Sequence, residues 1–252
     1  MTVKELYRIL EERFPPSLSA EWDNDGVMCC PDPDAPVRRV LCTLDVTEAA
    51  VDYAVRSGAD LILSHHPLLF HPLSALTAET AVGRKLIALL RAGVSVLSFH
   101  TRADAAEGGV NDILATLFGL VEVCPFADGL GRIGMLPTAR TAEGFAADVA
   151  ALLGVPAVTL GDAGRPVRRV AVLGGSGKGE VAAAIAAGAD TFLSGRLSYE
   201  TVNEAKELGI NLLEAGHFYT EAPFMRRLAE ELRGYGLATD YFDSCSVHLI
   251  GG

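Results

Sequence analysis

The sequence predicts an α/β protein built from two similar α/β lobes, and three observations carry that reading. Short apolar runs alternate with stretches of helical period, the pattern of βαβ units around a parallel sheet. The blocks Arg38-Arg39-Val40-Leu41-Cys42 and Gly58-Ala59-Asp60-Leu61-Ile62-Leu63-Ser64-His65 recur as Arg168-Arg169-Val170-Ala171-Val172 and Gly188-Ala189-Asp190-Thr191-Phe192-Leu193-Ser194-Gly195, with the same spacing between blocks. Gly209-Ile210-Asn211-Leu212-Leu213 likewise echoes Gly93-Val94-Ser95-Val96-Leu97. So long a period, present in so few copies, is an internal pseudo-repeat and not a solenoid. The expected division is a first lobe over 1–125 plus 237–252 and a second over 126–236.

Bulk properties narrow the function. The chain has 252 residues, 50% of them hydrophobic and 21% charged, which is enough for a sizeable core. A net charge of -11 without any Lys/Arg run makes nucleic acid an unlikely partner. The start, Met1-Thr2-Val3-Lys4-Glu5-Leu6, lacks the layout of a signal peptide, and no uncharged apolar stretch reaches membrane-spanning length. Five cysteines form no CxxC pair, and the odd count argues against a disulfide framework. Cys42, in a core strand, reads as a small buried hydrophobe. The expectation is a cytoplasmic protein with no membrane segment.

Taken in order, Val3 to Phe14 has helical spacing, with Val3, Leu6, Ile9 and Leu10 on one face, and Pro15-Pro16 ends it. Glu21-Trp22-Asp23-Asn24-Asp25-Gly26 is an acidic turn in which Trp22 reads as a core plug under a loop. Asp23 and Asn24 fit either a site or ordinary turn chemistry. Arg38 to Leu44 is a strand ending at Asp45, Thr47 is an N-cap, and a helix runs to about Arg56. The strand Leu61-Ile62-Leu63 then closes on Ser64-His65-His66-Pro67. A right-handed βαβ crossover puts Asp45 and both histidines on one sheet edge, where open α/β sheets keep their sites. A helix over Glu79 to Arg91 leads to the strand Gly93 to Phe99, which also finishes on histidine, His100-Thr101-Arg102-Ala103-Asp104. Gly108-Gly109 opens a helix from about Val110 to Phe118. In the second lobe Gly216-His217-Phe218-Tyr219-Thr220-Glu221 follows the last parallel strand, then a helix to Arg233 buries Phe224, Met225, Leu228 and Leu232. Tyr241 to Ile250 is expected to be a final strand.

Where the first lobe has His65-His66, the second has Gly195-Arg196. Keeping the fold while dropping the pair points to chemistry and not packing, although two surface histidines at a strand end remain the alternative. The strand-end donors are His65, His66, His100, Asp104, His217 and Glu221. Helical spacing places His217 and Glu221 on one face, and His100 and Asp104 share it. Four imidazoles and two carboxylates exceed one tetrahedral ion and suit two ions about 3.5–4 Å apart. Without thiolates, Zn, Fe or Mn fit best. His71 and His248 read as structural.

Rival motifs are weaker. Gly174-Gly175-Ser176-Gly177-Lys178-Gly179 looks like a phosphate loop, but Val172 stands at the first glycine and Gly179 at the magnesium-binding hydroxyl. It reads as a tight βα turn, with backbone N–H groups available to an anion as the alternative. Gly195-Arg196-Leu197-Ser198 does not fit a nucleophile elbow.

Trp22-Asp23-Asn24, Ser64-His65-His66-Pro67, His100-Thr101-x-x-Asp104 with Gly108-Gly109-Val110-Asn111-Asp112, and Gly216-His217-x-x-Thr220-Glu221 occur together in this order. In that combination the chain resembles the GTP cyclohydrolase 1 type 2 homologs, also called Nif-three-like dinuclear metal-centre proteins. The resemblance covers nearly the whole chain. It implies two α/β lobes in three layers, facing each other across a di-metal cleft, and a homohexamer arranged as a trimer of dimers. It also implies two divalent ions per chain, held at His65, His66, His100, Asp104, His217 and Glu221. Many relatives read His-Thr-Asn-Leu-Asp where this chain has Arg102-Ala103, so an arginine beside the ions is expected to alter local charge and contact an anionic substrate. The segment from about Cys124 to Val167 is too short for the extra domain of some relatives. The implied activity is a metal-dependent hydrolase acting on a nucleotide or related small molecule. A metal carrier without turnover is the alternative.

Overall fold

A computed structural model describes residues 1–247. Along the chain the elements are α1 (Val3–Arg13), β1 (Gly26–Cys29), β2 (Arg39–Thr43), α2 (Glu48–Ser57), β3 (Leu61–Ser64), α3 (Ala81–Ala92), β4 (Ser95–Ser98), α4 (Thr101–Ala105) and α5 (Val110–Leu117). They continue as β5 (Val121–Phe126), β6 (Gly131–Arg140), α6 (Ala142–Leu153), β7 (Thr159–Gly161), β8 (Val167–Ser176), α7 (Val181–Ala186) and β9 (Thr191–Arg196). The last are α8 (Tyr199–Asn203), α9 (Ala205–Leu208), β10 (Asn211–Glu214), α10 (His217–Arg233) and β11 (Ala238–Phe242). The chain is mixed α/β with two sheets, one of five strands in the order β1-β4-β3-β2-β11 and one of six in the order β5-β6-β8-β9-β10-β7.

Two compact units contain these sheets. The first comprises Met1–Ala103 and the segment from Phe224, and the second comprises Asp104–Pro223. In the first, β2, β3 and β4 are parallel, and β11 joins β2 in parallel while β1 caps β4 antiparallel. Both sheet faces are covered, so the strands are apolar almost throughout. Leu41, Ile62 and Val96 pack against Val51 and Ala54 of α2 and Leu86 and Leu89 of α3. The helices begin and end where local chemistry dictates. Thr47 accepts from the N–H of Ala50 at 3.1 Å, and Gly58 and Gly93 close α2 and α3 in the left-handed conformation that costs glycine nothing.

In the second unit β8, β9 and β10 are parallel and flanked by antiparallel β6 and β7. Val170, Val172, Leu193 and Leu213 face α5 and α6, while Ala171, Leu173, Phe192 and Leu212 face α7 and α9. Phe224, Met225, Leu228 and Leu232 on α10 are buried, as their spacing predicts. The last strand comes earlier than expected. It occupies Ala238–Phe242, paired in parallel with β2, while 243–247 form neither helix nor strand. The expected strand residues beyond Val247, and His248, lie outside the described residues. Among the described residues no helix is long and apolar enough to cross a membrane.

Candidate metal centre

The parallel strands β3 and β4 end side by side, in the register Ser64↔Ser98, so the residues just beyond them share one edge. His65, His66 and His100 leave that edge together. Their ring centroids are 5.1 to 5.5 Å apart, and one ligand atom of each lies within 4.8 Å of the others. Strand β3 ends at Ser64 and Pro67 follows, and although the His65 and His66 N–H groups still donate to the Thr43 and Leu44 carbonyls at 3.4 and 3.0 Å, the regular alternation of strand side chains no longer applies.

What the neighbours do to each ring matters more than proximity. The Nδ1 of His65 donates to the carbonyl oxygen of Phe99 at 2.9 Å, that of His66 to Asp45 Oδ1 at 2.7 Å, and that of His100 to Asp23 Oδ1 at 2.8 Å. A carbonyl or an ionised carboxylate only accepts, so Nδ1 carries a proton in all three rings and Nε2 is the nitrogen left to face a cation. This is how proteins orient neutral imidazoles toward a cation. The donor set therefore suits a divalent metal ion of the imidazole-preferring class.

The supporting carboxylates are themselves fixed. Asp23 also accepts from the Thr101 N–H at 3.0 Å and the Thr101 hydroxyl at 2.6 Å. Burial would raise the Asp23 carboxyl, but hydrogen bonds from His100 and Thr101 hold it well below the ordinary carboxylate range. Asp45 is seated by Ser244, whose hydroxyl accepts from the Asp45 N–H at 3.1 Å. Sequence reasoning left Asp23 between a site role and turn chemistry. No local signal separates them, because its partner His100 lies 77 residues away.

In the second unit, His217 and Glu221 occupy the first turn of α10, and the His217 Nε2 lies 3.2 Å from Glu221 Oε2. The Gly174-Gly175 turn backs directly onto this pair. Gly175 has φ +67°, and a Cβ there would collide with Glu221 Oε1 and come within 3.3 Å of His217 Nε2. Its neighbours' N–H groups are already used. Gly174 donates to Asn111 Oδ1, Gly175 to the Thr220 hydroxyl and Gly177 to the Ser194 hydroxyl, at 2.8 to 3.0 Å. The segment is the end of β8 and a packing turn, and these three donors are turned inward instead of being offered to an anion. Asp104, on α4, is not among the three clustered imidazoles.

Two expectations are corrected. Trp22 is no core plug. It is 63% exposed, and its ring stands 6.1 Å from that of His100. Arg102 does not face an anionic substrate. It is 2% exposed, pairs with Asp25 at 2.8 Å, donates to the Phe14 carbonyl at 3.1 Å and stacks over the Phe99 ring at 4.8 Å. A guanidinium so engaged is a buried brace between the acidic turn and α4. His71 is exposed against Phe70 and outside the imidazole cluster. Cys42 is fully buried, and burial pushes its thiol up to about 12, which removes it as a nucleophile.

The chain is 32% identical over 241 residues to a Clostridium perfringens protein named GTP cyclohydrolase 1 type 2 homolog, covering 92% of each. It is 35% identical over 243 residues to a Streptomyces coelicolor protein of the same name, covering 91% of this chain and 85% of the relative. Among solved structures, a hypothetical protein from Staphylococcus aureus superposes with a TM-score of 0.91 at 26% identity over 99% of both chains. Reduced HcgD from Methanocaldococcus jannaschii gives a TM-score of 0.85 at 28% identity, covering 96% of this chain and 97% of its own. Residues 1–243 match the family described as Duf34/NIF3 (NGG1p interacting factor 3), and the chain belongs to that family.

Proposed function

We propose that this protein is a dinuclear metal-dependent hydrolase acting on a nucleotide or related small molecule. The observation that carries the reading is the common anchoring of His65, His66 and His100, each with its Nδ1–H held by an acceptor and one ligand atom in a shared cluster. Asp104, His217 and Glu221 complete the proposed ligand set. Two continuous helices support their inclusion. Asp104 lies on α4, four residues after His100, and His217 and Glu221 share the first turn of α10, also four residues apart. The names of the relatives make hydrolytic opening of the guanine imidazole ring of GTP the first reaction to assay.

A bound divalent ion would supply a water of lowered pKa and an electrophile for the substrate oxygen. The protein's own residues do the positioning. Phe99, Asp45 and Asp23 anchor the Nδ1 of three rings, so Nε2 is the atom each ring has left to hold an ion. His65 has 0% exposure, which keeps bulk water from one side of the cluster.

Metal analysis of protein purified without a polyhistidine tag tests this. About two equivalents of Zn, Fe or Mn per chain are expected, and His65→Ala is expected to lose bound metal while its circular dichroism stays native. Turnover should be followed with GTP and with phosphatase and nuclease substrates, before and after chelation. Full metal content in the His65→Ala protein would sink the assignment.

A further inference from the structure

An aromatic pair beside the imidazole cluster has no role in packing the core. Trp22 is 63% exposed and Phe70 40% exposed, with ring centroids 6.2 Å apart and planes inclined at 54°. Both rings present an edge contact to His100, at 6.1 and 6.3 Å. Isolated exposed apolar side chains are ordinary on protein surfaces. This pair differs in being braced. Asp23, next to Trp22, is locked by His100 and Thr101, and its N–H donates to the Ala20 carbonyl at 2.9 Å. Asn24 donates from Nδ2 to the carbonyl of Leu69, tying the turn that carries Trp22 to the loop that carries Phe70. Two solvent-facing rings are thus fixed by buried or cross-linking polar groups on the residues beside them.

We propose that Trp22 and Phe70 form a stacking platform for the planar ring of a purine nucleotide, whose polar edge then reaches the imidazole cluster at His100. The proposal rests on the reading of the site as a nucleotide-handling metal centre and adds the group that seats the substrate's base. A pre-fixed aromatic seat binds a flat ring with little further loss of side-chain freedom. The inclined rings leave both exposed faces unsaturated, and stacking accepts any base face without hydrogen-bond readout.

The chain contains a single tryptophan, so its intrinsic indole fluorescence reports Trp22 alone. With the metal-loaded, full-length protein, guanosine and GTP are expected to quench that emission saturably, whereas ribose 5-phosphate and inorganic triphosphate are not. Phe70→Ala should weaken guanosine binding about tenfold in the fluorescence titration. Trp22→Leu, followed by calorimetry, should weaken it by at least as much, and Trp22→Phe should restore most of it. Metal content measured on each variant keeps the two claims apart. Metal-loaded protein whose Trp22 emission ignores guanosine at millimolar concentration overturns the platform and leaves the metal centre standing. So would quenching by ribose 5-phosphate equal to that by GTP, or wild-type affinity in both Phe70→Ala and Trp22→Leu. Protein that holds no metal but still binds guanosine through Trp22 upholds the platform and removes the hydrolase.

Discussion

The parallel triplets β2-β3-β4 and β8-β9-β10 start alike and end differently. At the start, Asp60 accepts from the N–H groups of Arg38 and Arg39 at 2.7 and 2.9 Å, and Asp190 accepts from those of Arg168 and Arg169 at 2.7 to 3.1 Å. The registers match as well, with Val40 opposite Leu61 and Val170 opposite Thr191. At the other end, β3 stops at Ser64 and releases His65 and His66, whereas β9 continues through Gly195 and Arg196. A Cβ on Gly195 would stand 2.5 Å from both the Gly175 carbonyl and the Thr220 hydroxyl and 2.8 Å from the His217 Cα. The second triplet has given the space above its strand end to the first turn of α10. Its imidazole therefore sits on that helix, as His217, and not on the strand. An imidazole cluster at a strand end needs room, and only one copy of the repeat keeps it.

The largest way to test that contrast is to add the missing carbon. Gly195→Ala should cost about 3 kcal/mol in urea unfolding, because the clashing atoms include backbone that cannot yield cheaply. Gly179→Ala, where an added Cβ meets nothing within 4 Å, is the control and should be nearly neutral. If both variants unfold alike, the spatial explanation for Gly195 is wrong. A smaller effect is expected at the other strand end. Asp45→Asn should lower metal affinity about 10- to 100-fold by releasing the His66 tautomer, with folding stability little changed. Unaltered affinity in competition with a chelator would mean that Asp45 does not orient the ring. The smallest effect concerns what the copies share. Asp60→Ala and Asp190→Ala should each cost about 1–2 kcal/mol by leaving two N–H groups unmet. Values differing by well over about 1 kcal/mol would show that the two clamps are not equivalent.

Much of this was legible in the chain. Helical period, caps at Thr47, Gly58 and Gly93, and the repeated Gly-Ala-Asp before an apolar run are local signals, and they mark elements to within a few residues. The histidines at strand ends were legible because parallel sheets put successive C-ends on one edge. Trp22 and Arg102 were misread for one reason. Their orientation depends on distant partners: Trp22 stands beside His100 because Asp23 is anchored there, and Arg102 turns inward because Asp25 and the Phe14 carbonyl receive it. The glycine-rich segment is the packing turn its sequence suggested, and the alternative of anion binding falls away because its N–H groups are spent on Asn111, Thr220 and Ser194.

The sequence by itself determined the α/β class, the repeated strand triplet and the residue types available for a metal site, because period, caps and strand order depend on near neighbours and backbone geometry. Only the tertiary structure decided which ring nitrogen each histidine presents. A tautomer is chosen by the acceptor opposite Nδ1, and for His65, His66 and His100 those acceptors come from Phe99, Asp45 and Asp23, between 21 and 77 residues away.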